Sequence, residues 1–334
     1  MGTRQRRFVE AGQLGGLVRE ALGDGRRLVE IERLRGGSKK GVYRLRFDDE
    51  WTALLYVWSE DEDFWNAGSS SPEGSHVLSH ASGLRLFQAA QSRLSGQGVR
   101  VPRLYFADGS GLHYPADIAL VEDVRGGTLE DLLEKDPMSG GRVLERLARA
   151  LDLMGRDRAP EVGKVALVED GRGVRGRDCV DVVLEWALKD LAEAARRVDG
   201  IRAARQEFDA LLREMRAGVE PRHEYALIHG ELGPDHVLVD EEGEPVIIDI
   251  EGAMFFDVEW EHVFLRIRFG EHYERLRADG LDERRMRLYQ LAQHLSLVAG
   301  PLRLLDGDFP DRAFMTGIAE HHQKAALEFL RDHR

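Results

Sequence analysis

The stretch Tyr225 to Glu261, YALIHGELGPDHVLVDEEGEPVIIDIEGAMFFDVEWE, constrains the fold more than any other part of this 334-residue chain. Its apolar runs are too short for helices and are separated by Gly, Pro and acids, so it reads as strand, loop, strand, turn, strand, loop, helix. Ala226-Leu227-Ile228 leads into His229-Gly230-Glu231, and Gly233-Pro234 forces an irregular loop before Val237-Leu238-Val239. The chain then turns at Asp240-Glu241-Glu242-Gly243 into Val246-Ile247-Ile248, which predicts a short hairpin with polar groups at its mouth. Two acid-bearing points flank that hairpin: Glu231 on the first loop, and Asp249 with Glu251 after the last strand. Carboxylates on loops held by short apolar strands suit a base plus a metal ligand, while solvated turns are acidic for no chemical reason. The residues alone leave both readings open.

Charge points the same way. Between Glu220 and Glu261 there are thirteen acids against one Arg, a concentration that favours cations unless it is simply a solvated face. The net charge of −13 argues against general nucleic-acid binding, because phosphate recognition needs a basic surface. With 43% hydrophobic and 32% charged residues the composition is that of an ordinary globular protein, and the length favours two lobes. No apolar run approaches the roughly 18 residues of a membrane span. Met1 to Arg7 is basic but has no apolar segment after it, unlike a secretory signal, and Arg6 stands where a myristoylation motif wants Ser or Thr. Cys179 is the lone cysteine, which excludes an intrachain disulfide and fits a reducing compartment. A cytoplasmic protein with neither a membrane nor a nucleic-acid partner is expected.

Residues up to about Ala116 read as mainly strands. Phe8 to Leu22 predicts a short amphipathic helix ending at Gly23, followed by strands at Leu28 to Leu34, Val42 to Phe47 and Thr52 to Trp58. The first two strands are joined by Arg35-Gly36-Gly37-Ser38-Lys39-Lys40-Gly41. Strand, glycine loop, strand can cover phosphates: glycines let backbone N–H groups approach, Ser38 can donate, and Lys39 or Lys40 can neutralise charge. Gly36 and Gly41 have P-loop spacing, but Val42-Tyr43 replaces the required Lys-Ser/Thr and a strand follows, so a P-loop is rejected. An ordinary hairpin turn remains the simpler reading of these residues in isolation.

Asn66 to Ser75 reads as a mobile loop, Ser82 to Leu94 as a helix, and Pro102 to Ala107 and Ile118 to Val124 as a fourth and fifth strand. From Val143 onward the pattern is helical: Asp178 to Val198, Ile201 to Arg216, Asp257 (as N-cap) to Phe269, Leu281 to Leu305 broken at Gly300-Pro301, and Phe314 to Leu330. Asp170 to Arg177 is a Gly/Arg-rich loop. His294, His321 and His322 read as ordinary helix residues, and His223, His229 and His236 lack the spacing of a zinc motif.

His229-Gly230-Glu231-Leu232-Gly233-Pro234-Asp235-His236-Val237-Leu238-Val239 resembles the catalytic loop of the aminoglycoside phosphotransferase and choline kinase superfamily, and Ile248-Asp249-Ile250-Glu251 resembles the metal-binding segment that follows it. The family pattern is H-G-D-x-x-x-x-N-[IVL]-L, then I-D-x-E. Here Glu231 holds the catalytic Asp position and His236 the metal-binding Asn position. The resemblance implies an α+β, bilobal, protein-kinase-like fold: residues 1–121 as a small lobe with an antiparallel sheet, 122–127 as connector, and 128–334 as a mostly helical lobe. It implies ATP or another nucleoside triphosphate under Gly36, Gly37, Ser38, Lys39, Lys40 and Gly41, with the backbone of Glu122, Asp123 and Val124 at the base and Thr128 capping a helix. Asp249 would be the principal ligand of Mg²⁺, or of Mn²⁺, joined by His236 and Glu251. Glu231, beside His229, would orient or deprotonate the hydroxyl of a small acceptor.

Two departures bear on activity. Kinase-like folds carry a phosphate-binding Lys on the third strand paired with a Glu on the next helix, yet Thr52 to Trp58 contains no Lys and Ser82 to Leu94 no acid. Loss of both is coherent, since a lone buried charge is unfavourable, and Lys39 or Lys40 is then the candidate for the missing positive charge. Neutral imidazole suits softer metals than Mg²⁺, which bears on His236. The two readings carried forward are an O-phosphotransferase acting on a small hydroxylated, cationic or polyhydroxylated molecule, and a weak or inactive pseudokinase-like protein that binds a nucleotide or metabolite.

Overall fold

The computed structural model describes residues 6–35, 37–65, 77–79 and 82–333, so Gly36 and the predicted loop Asn66 to Ser75 lie outside the described residues. In chain order the elements begin with α1 (Gly15–Leu22), β1 (Leu28–Arg33), β2 (Gly41–Phe47), β3 (Thr52–Trp58), α2 (Leu84–Gly96), β4 (Leu104–Asp108) and β5 (Asp117–Glu122). They continue with α3 (Leu129–Lys135), α4 (Pro137–Arg156), β6 (Arg158–Ala159), β7 (Gly163–Lys164), α5 (Val165–Glu169), α6 (Cys179–Arg197), α7 (Asp199–Ala203) and α8 (Arg205–Ala217). The rest is β8 (Tyr225–Ile228), β9 (Val237–Val239), β10 (Pro245–Ile247), β11 (Met254–Phe256), α9 (Val258–Phe269), α10 (Glu283–Leu304) and α11 (Arg312–Arg331). The chain forms two compact units. One comprises Met1–Glu73, Ala81–Val143 and Asp235–Glu251; the other comprises Gly74–His80, Leu144–Pro234 and Gly252–Arg334.

The first unit is built on a five-stranded antiparallel sheet in the order β1-β2-β3-β5-β4. Strict alternation in β2 sends Tyr43, Leu45 and Phe47 to one face, where they meet Leu14, Leu17 and Val18 from α1 and its approach. The middle strand β3 is buried on both faces: Ala53, Leu55 and Val57 join that cluster, while Tyr56 packs edge-on against Phe87 of α2 at 5.5 Å. Burying each such large side chain contributes about 1.5–3 kcal/mol. The hairpin β9–β10 belongs to this unit, anchored where the Ile247 amide donates to the Arg100 carbonyl at 2.9 Å.

The second unit has a four-stranded antiparallel sheet, β6-β8-β11-β7, and a helical body in which α10 packs against α6, α9 and α11, and α6 against α8. Among the described residues no helix is long and apolar enough to cross a membrane.

The predicted strands and the hairpin are present, as is Thr128 as the cap of α3, its hydroxyl accepting from the Asp131 amide at 3.1 Å. Several helices differ. The first begins only at Gly15, after a single 3₁₀ turn at Ala11–Gln13, where Gly12 weakens a continuous helix by about 1 kcal/mol. Ile201 to Arg216 is two helices meeting at Ala204. Conversely, α10 runs unbroken through Pro301 to Leu304, since Val298, Ala299, Gly300 and Pro301 are all buried and packing outweighs the lost backbone bond.

Candidate active site

The glycine turn is stitched to the residues that follow β3. Leu34 donates its amide to the Val42 carbonyl, closing the β1–β2 hairpin, and the Phe64 amide donates to the Ser38 carbonyl at 2.8 Å. Trp65 Nε1 donates to Ser38 Oγ at 3.2 Å, and Lys39 Nζ lies 5.6 Å from the centre of the Trp65 ring. A side chain at Gly41 would collide with Glu62, a buried carboxylate that accepts from Arg33 Nη2 at 2.6 Å and from the Tyr43 hydroxyl. At this position, then, glycine is required by packing.

Lys40 ends that turn and is 9% exposed. Its Nζ donates to Asp249 Oδ1 at 2.8 Å and Glu251 Oε1 at 2.5 Å, and lies 5.0 Å from the centre of the Tyr56 ring on β3. Burial alone would push the ammonium down, but the Asp249 and Glu251 charges outweigh it and hold the lysine well above its ordinary value. The helix after β3 supplies no acid; both counter-charges come from the end of the β9–β10 hairpin. Asp249 sits at φ 59, a left-handed conformation uncommon for a residue with a side chain, and its side chain is 50% exposed. Glu251 is 4% exposed, and its Oε2 atom is buried without a hydrogen-bond partner.

Two carboxylates converging on one cation, one of them with an unpartnered oxygen, fit Mg²⁺, which takes one or two protein carboxylates and completes its shell with water and phosphate. Among the described residues no group of three or more His, Cys, Asp or Glu side chains is gathered for a metal, so His236 does not complete a triad with Asp249 and Glu251. Its Nε2 lies 3.8 Å from Asp235 Oδ2, and its carbonyl accepts from the Ile248 amide at 3.0 Å.

The connector residues are held from within their own unit. Glu122 is gripped by Arg100 through two bonds of 2.6 and 2.9 Å, and its amide donates to the Arg103 carbonyl at 2.9 Å. Asp123, whose side chain is 1% exposed, takes Arg44 at 2.9 and 3.2 Å, and Val124 is buried. Two of the expected base-contacting residues thus spend their side chains on scaffold ion pairs, and Glu122 its amide as well. A side chain at Gly126 would strike the Val239 carbonyl, and the Val239 amide donates to the Gly127 carbonyl at 3.0 Å, so the connector runs directly along β9.

In the second unit β8 delivers His229, Gly230 and Glu231. His229 is 1% exposed, and its Nδ1 accepts from the Glu231 amide at 3.3 Å, which places the ring proton on Nε2. Glu231 is exposed. Gly230 has φ 93, and its amide donates to Glu261 Oε2 at 2.6 Å. Glu261 stands in the first turn of α9, 2% exposed, beside a hollow lined by Leu151, Met154, Leu227 and Ile228. Burial in this apolar setting pushes its carboxyl up to about 7, against the pull of the Gly230, His229 and Leu232 amides. Glu261 therefore positions the loop that carries Glu231, a role the sequence reading missed. The available signal was its place four residues after Asp257, one turn along the same helix face.

Asp257 occupies the N-cap position of α9 as expected but makes no side-chain cap bond. Its carboxylate is taken instead by the guanidinium of Arg285 and the hydroxyl of Tyr289, both from α10. Arg285 also reaches Asp178 at 3.4 Å and the Glu220 carbonyl, and Arg222 clamps Glu259 through bonds of 2.6 and 2.7 Å. The acidic run is consequently not a uniform cation-attracting face. Asp257, Glu259 and Glu261 are held by internal partners, as is Asp240, which takes the Glu242 and Glu244 amides at its turn.

The sequence profile of the phosphotransferase enzyme family matches residues 30–292. No curated protein is similar enough in sequence to match. Among solved structures, spectinomycin phosphotransferase APH(9)-Ia in complex with ADP and spectinomycin superposes with a TM-score of 0.65 at 12% identity, over 97% of this chain and 99% of that one. A thermostable mutant of aminoglycoside phosphotransferase APH(4)-Ia, in ternary complex with AMP-PNP and hygromycin B, gives 0.61 at 18%, over 92% and 97%. The GDP complex of aminoglycoside 2′-phosphotransferase-IIIa gives 0.61 at 17%, over 95% and 99%. The fold is theirs, and with most of its length matched the chain belongs to the phosphotransferase enzyme family.

Proposed function

We propose that the protein is a nucleoside-triphosphate-dependent O-phosphotransferase, ATP being the first donor to test, acting on a small hydroxylated acceptor. The observation that carries this reading is Lys40: a strand without the usual lysine is compensated by a buried ammonium at the end of the glycine turn, set between Asp249 and Glu251. Lys40 is assigned to donor phosphate oxygens, and Gly37, Ser38, Lys39 and Gly41 to the cover of those phosphates. Asp249 and Glu251 would hold Mg²⁺ or Mn²⁺, whose chemistry is to offset charge on the donor's β- and γ-phosphates. His236 is left as an orienting neighbour rather than a ligand.

Glu231 takes the acceptor hydroxyl. Its carboxylate receives the hydroxyl proton as the acceptor oxygen bonds to the γ-phosphorus and the bridging oxygen leaves with the nucleoside diphosphate. Glu261 fixes the backbone from which Glu231 extends. The relatives' bound hygromycin B and spectinomycin make cationic aminocyclitol compounds the first acceptor panel.

Glu231→Gln is expected to lower kcat by about 10²–10⁴ while leaving ATP affinity nearly unchanged, read by ADP release and by calorimetry. Unchanged turnover removes Glu231 from this role. The second reading, a nucleotide-binding protein without transfer, is favoured by Glu in the Asp position, since its extra methylene displaces the base and alignment is sensitive to about 1 Å. Thermal stabilisation by ATP with Mg²⁺ or Mn²⁺, without turnover over the acceptor panel, would establish that reading.

A further inference from the structure

The position of Lys40 carries a consequence for metal binding. A divalent ion and an ammonium ask the same of a protein, namely converging anionic oxygens, and here the ammonium already holds both: Asp249 Oδ1 at 2.8 Å and Glu251 Oε1 at 2.5 Å. Neither carboxylate can satisfy a close-fitting ion while it serves the lysine. Glu251 is 4% exposed, and its Oε2 has no partner, so the site retains acceptor capacity that one ammonium does not use. Asp249 is half exposed, giving an ion from solvent a route to the pair. No acid on α2 offers Lys40 an alternative seat.

We propose that Lys40 is a tethered cation that occupies the Asp249–Glu251 site and excludes free divalent metal from it. The proposal deepens the donor-binding reading above, on which the next step rests: when donor phosphates arrive they offer Lys40 other anionic oxygens, and the two carboxylates become available to the accompanying metal. Metal and nucleotide then enter as a unit, and the protein does not accumulate metal in the absence of donor. The flexible four-carbon stem of lysine suits such an exchange better than the planar fork of arginine.

The test uses the full-length protein, Mn²⁺ as the probe and no nucleotide, with free Mn²⁺ counted by electron paramagnetic resonance. Wild type is expected to bind Mn²⁺ weakly. Lys40→Met is expected to bind one Mn²⁺ about 10- to 100-fold more tightly, because a positive charge in direct contact with the site has been removed. Adding Asp249→Asn to Lys40→Met is expected to abolish that gain, and Lys40→Gln serves if the Met variant fails to fold. Equal Mn²⁺ affinity in wild type and the Lys40 variants overturns the proposal. So does stabilisation of wild type by Mn²⁺ alone at submillimolar concentration, a measurement that needs no variant. A variant that gains the Mn²⁺ site, in a protein whose wild type ignores ATP, leaves the tethered cation standing and removes the donor-binding reading instead.

Discussion

Each unit buries a basic side chain between two carboxylates, and the two clusters differ in one respect. Arg285 is 1% exposed, with Asp257 at 0% and Asp178 at 6%; Tyr289 and the Glu220 carbonyl add contacts, and Arg222 lies 3.6 Å from Asp257 Oδ1. Lys40 is equally well supplied with charge, and each cluster keeps one buried carboxylate oxygen without a hydrogen-bond partner, Glu251 Oε2 here and Asp257 Oδ1 there, but Asp249 is half open to solvent. The sealed cluster ties α6, α9 and α10 together. The open one is placed at the end of a glycine turn, and on the proposed reading incoming phosphate or metal exchanges there with Lys40. Buried charge, even with an unpartnered oxygen, occurs in both clusters; what separates them is access to solvent.

The comparison can be broken by removing each cation in turn. Arg285→Met removes the main cation from two buried carboxylates, leaving only Arg222 at 3.6 Å from Asp257, and is expected to destabilise the fold by about 3–5 kcal/mol in thermal or urea melts, with no recovery on adding Mn²⁺. A loss below about 1 kcal/mol would show that the cluster is not sealed as described.

Glu261 sharpens the comparison from the other side, as a buried carboxylate held by backbone amides instead of a cation. Its folded value near 7 lies above the ordinary 4.5, so between these the folded protein keeps a proton that the unfolded chain has lost. Stability should therefore fall as pH rises from about 4.5 to about 7 and level off above, by an amount on the order of 3 kcal/mol. Glu261→Gln cannot lose that proton and is expected to lack this fall in a pH series of melts; an unaltered slope would remove Glu261 as its source.

Lys40→Met is the mildest for stability, about 1–2 kcal/mol, because water reaches Asp249, and Mn²⁺ is expected to restore it. Failure of Mn²⁺ to do so would erase the distinction between the two clusters.

Local signals made much of this legible in the sequence. Alternation at Val42 to Phe47, the acid-and-glycine turn at Asp240 to Gly243 and the threonine before Leu129 each specify their element through neighbouring residues. Met254–Phe256 was not recognised as a strand, since three apolar residues without alternation become β11 only by pairing with β8 and β7. The motif located Asp249, Glu251 and Glu231 without revealing their partners. Lys40 and Asp249 are 209 positions apart, so the sequence could narrow the missing cation to Lys39 or Lys40 but not choose. The same limit hid Arg285 and the hold of Glu261 on Gly230, because contacts between distant segments leave no periodic trace.

The most direct test of the open cluster is calorimetric titration of wild type and Lys40→Met with AMP-PNP in the presence of Mg²⁺. Wild type is expected to bind the nucleotide with metal, and Lys40→Met to bind it about 10- to 100-fold more weakly despite an intact fold. Equal affinity in the two proteins would contradict the assignment of Lys40 to donor phosphates.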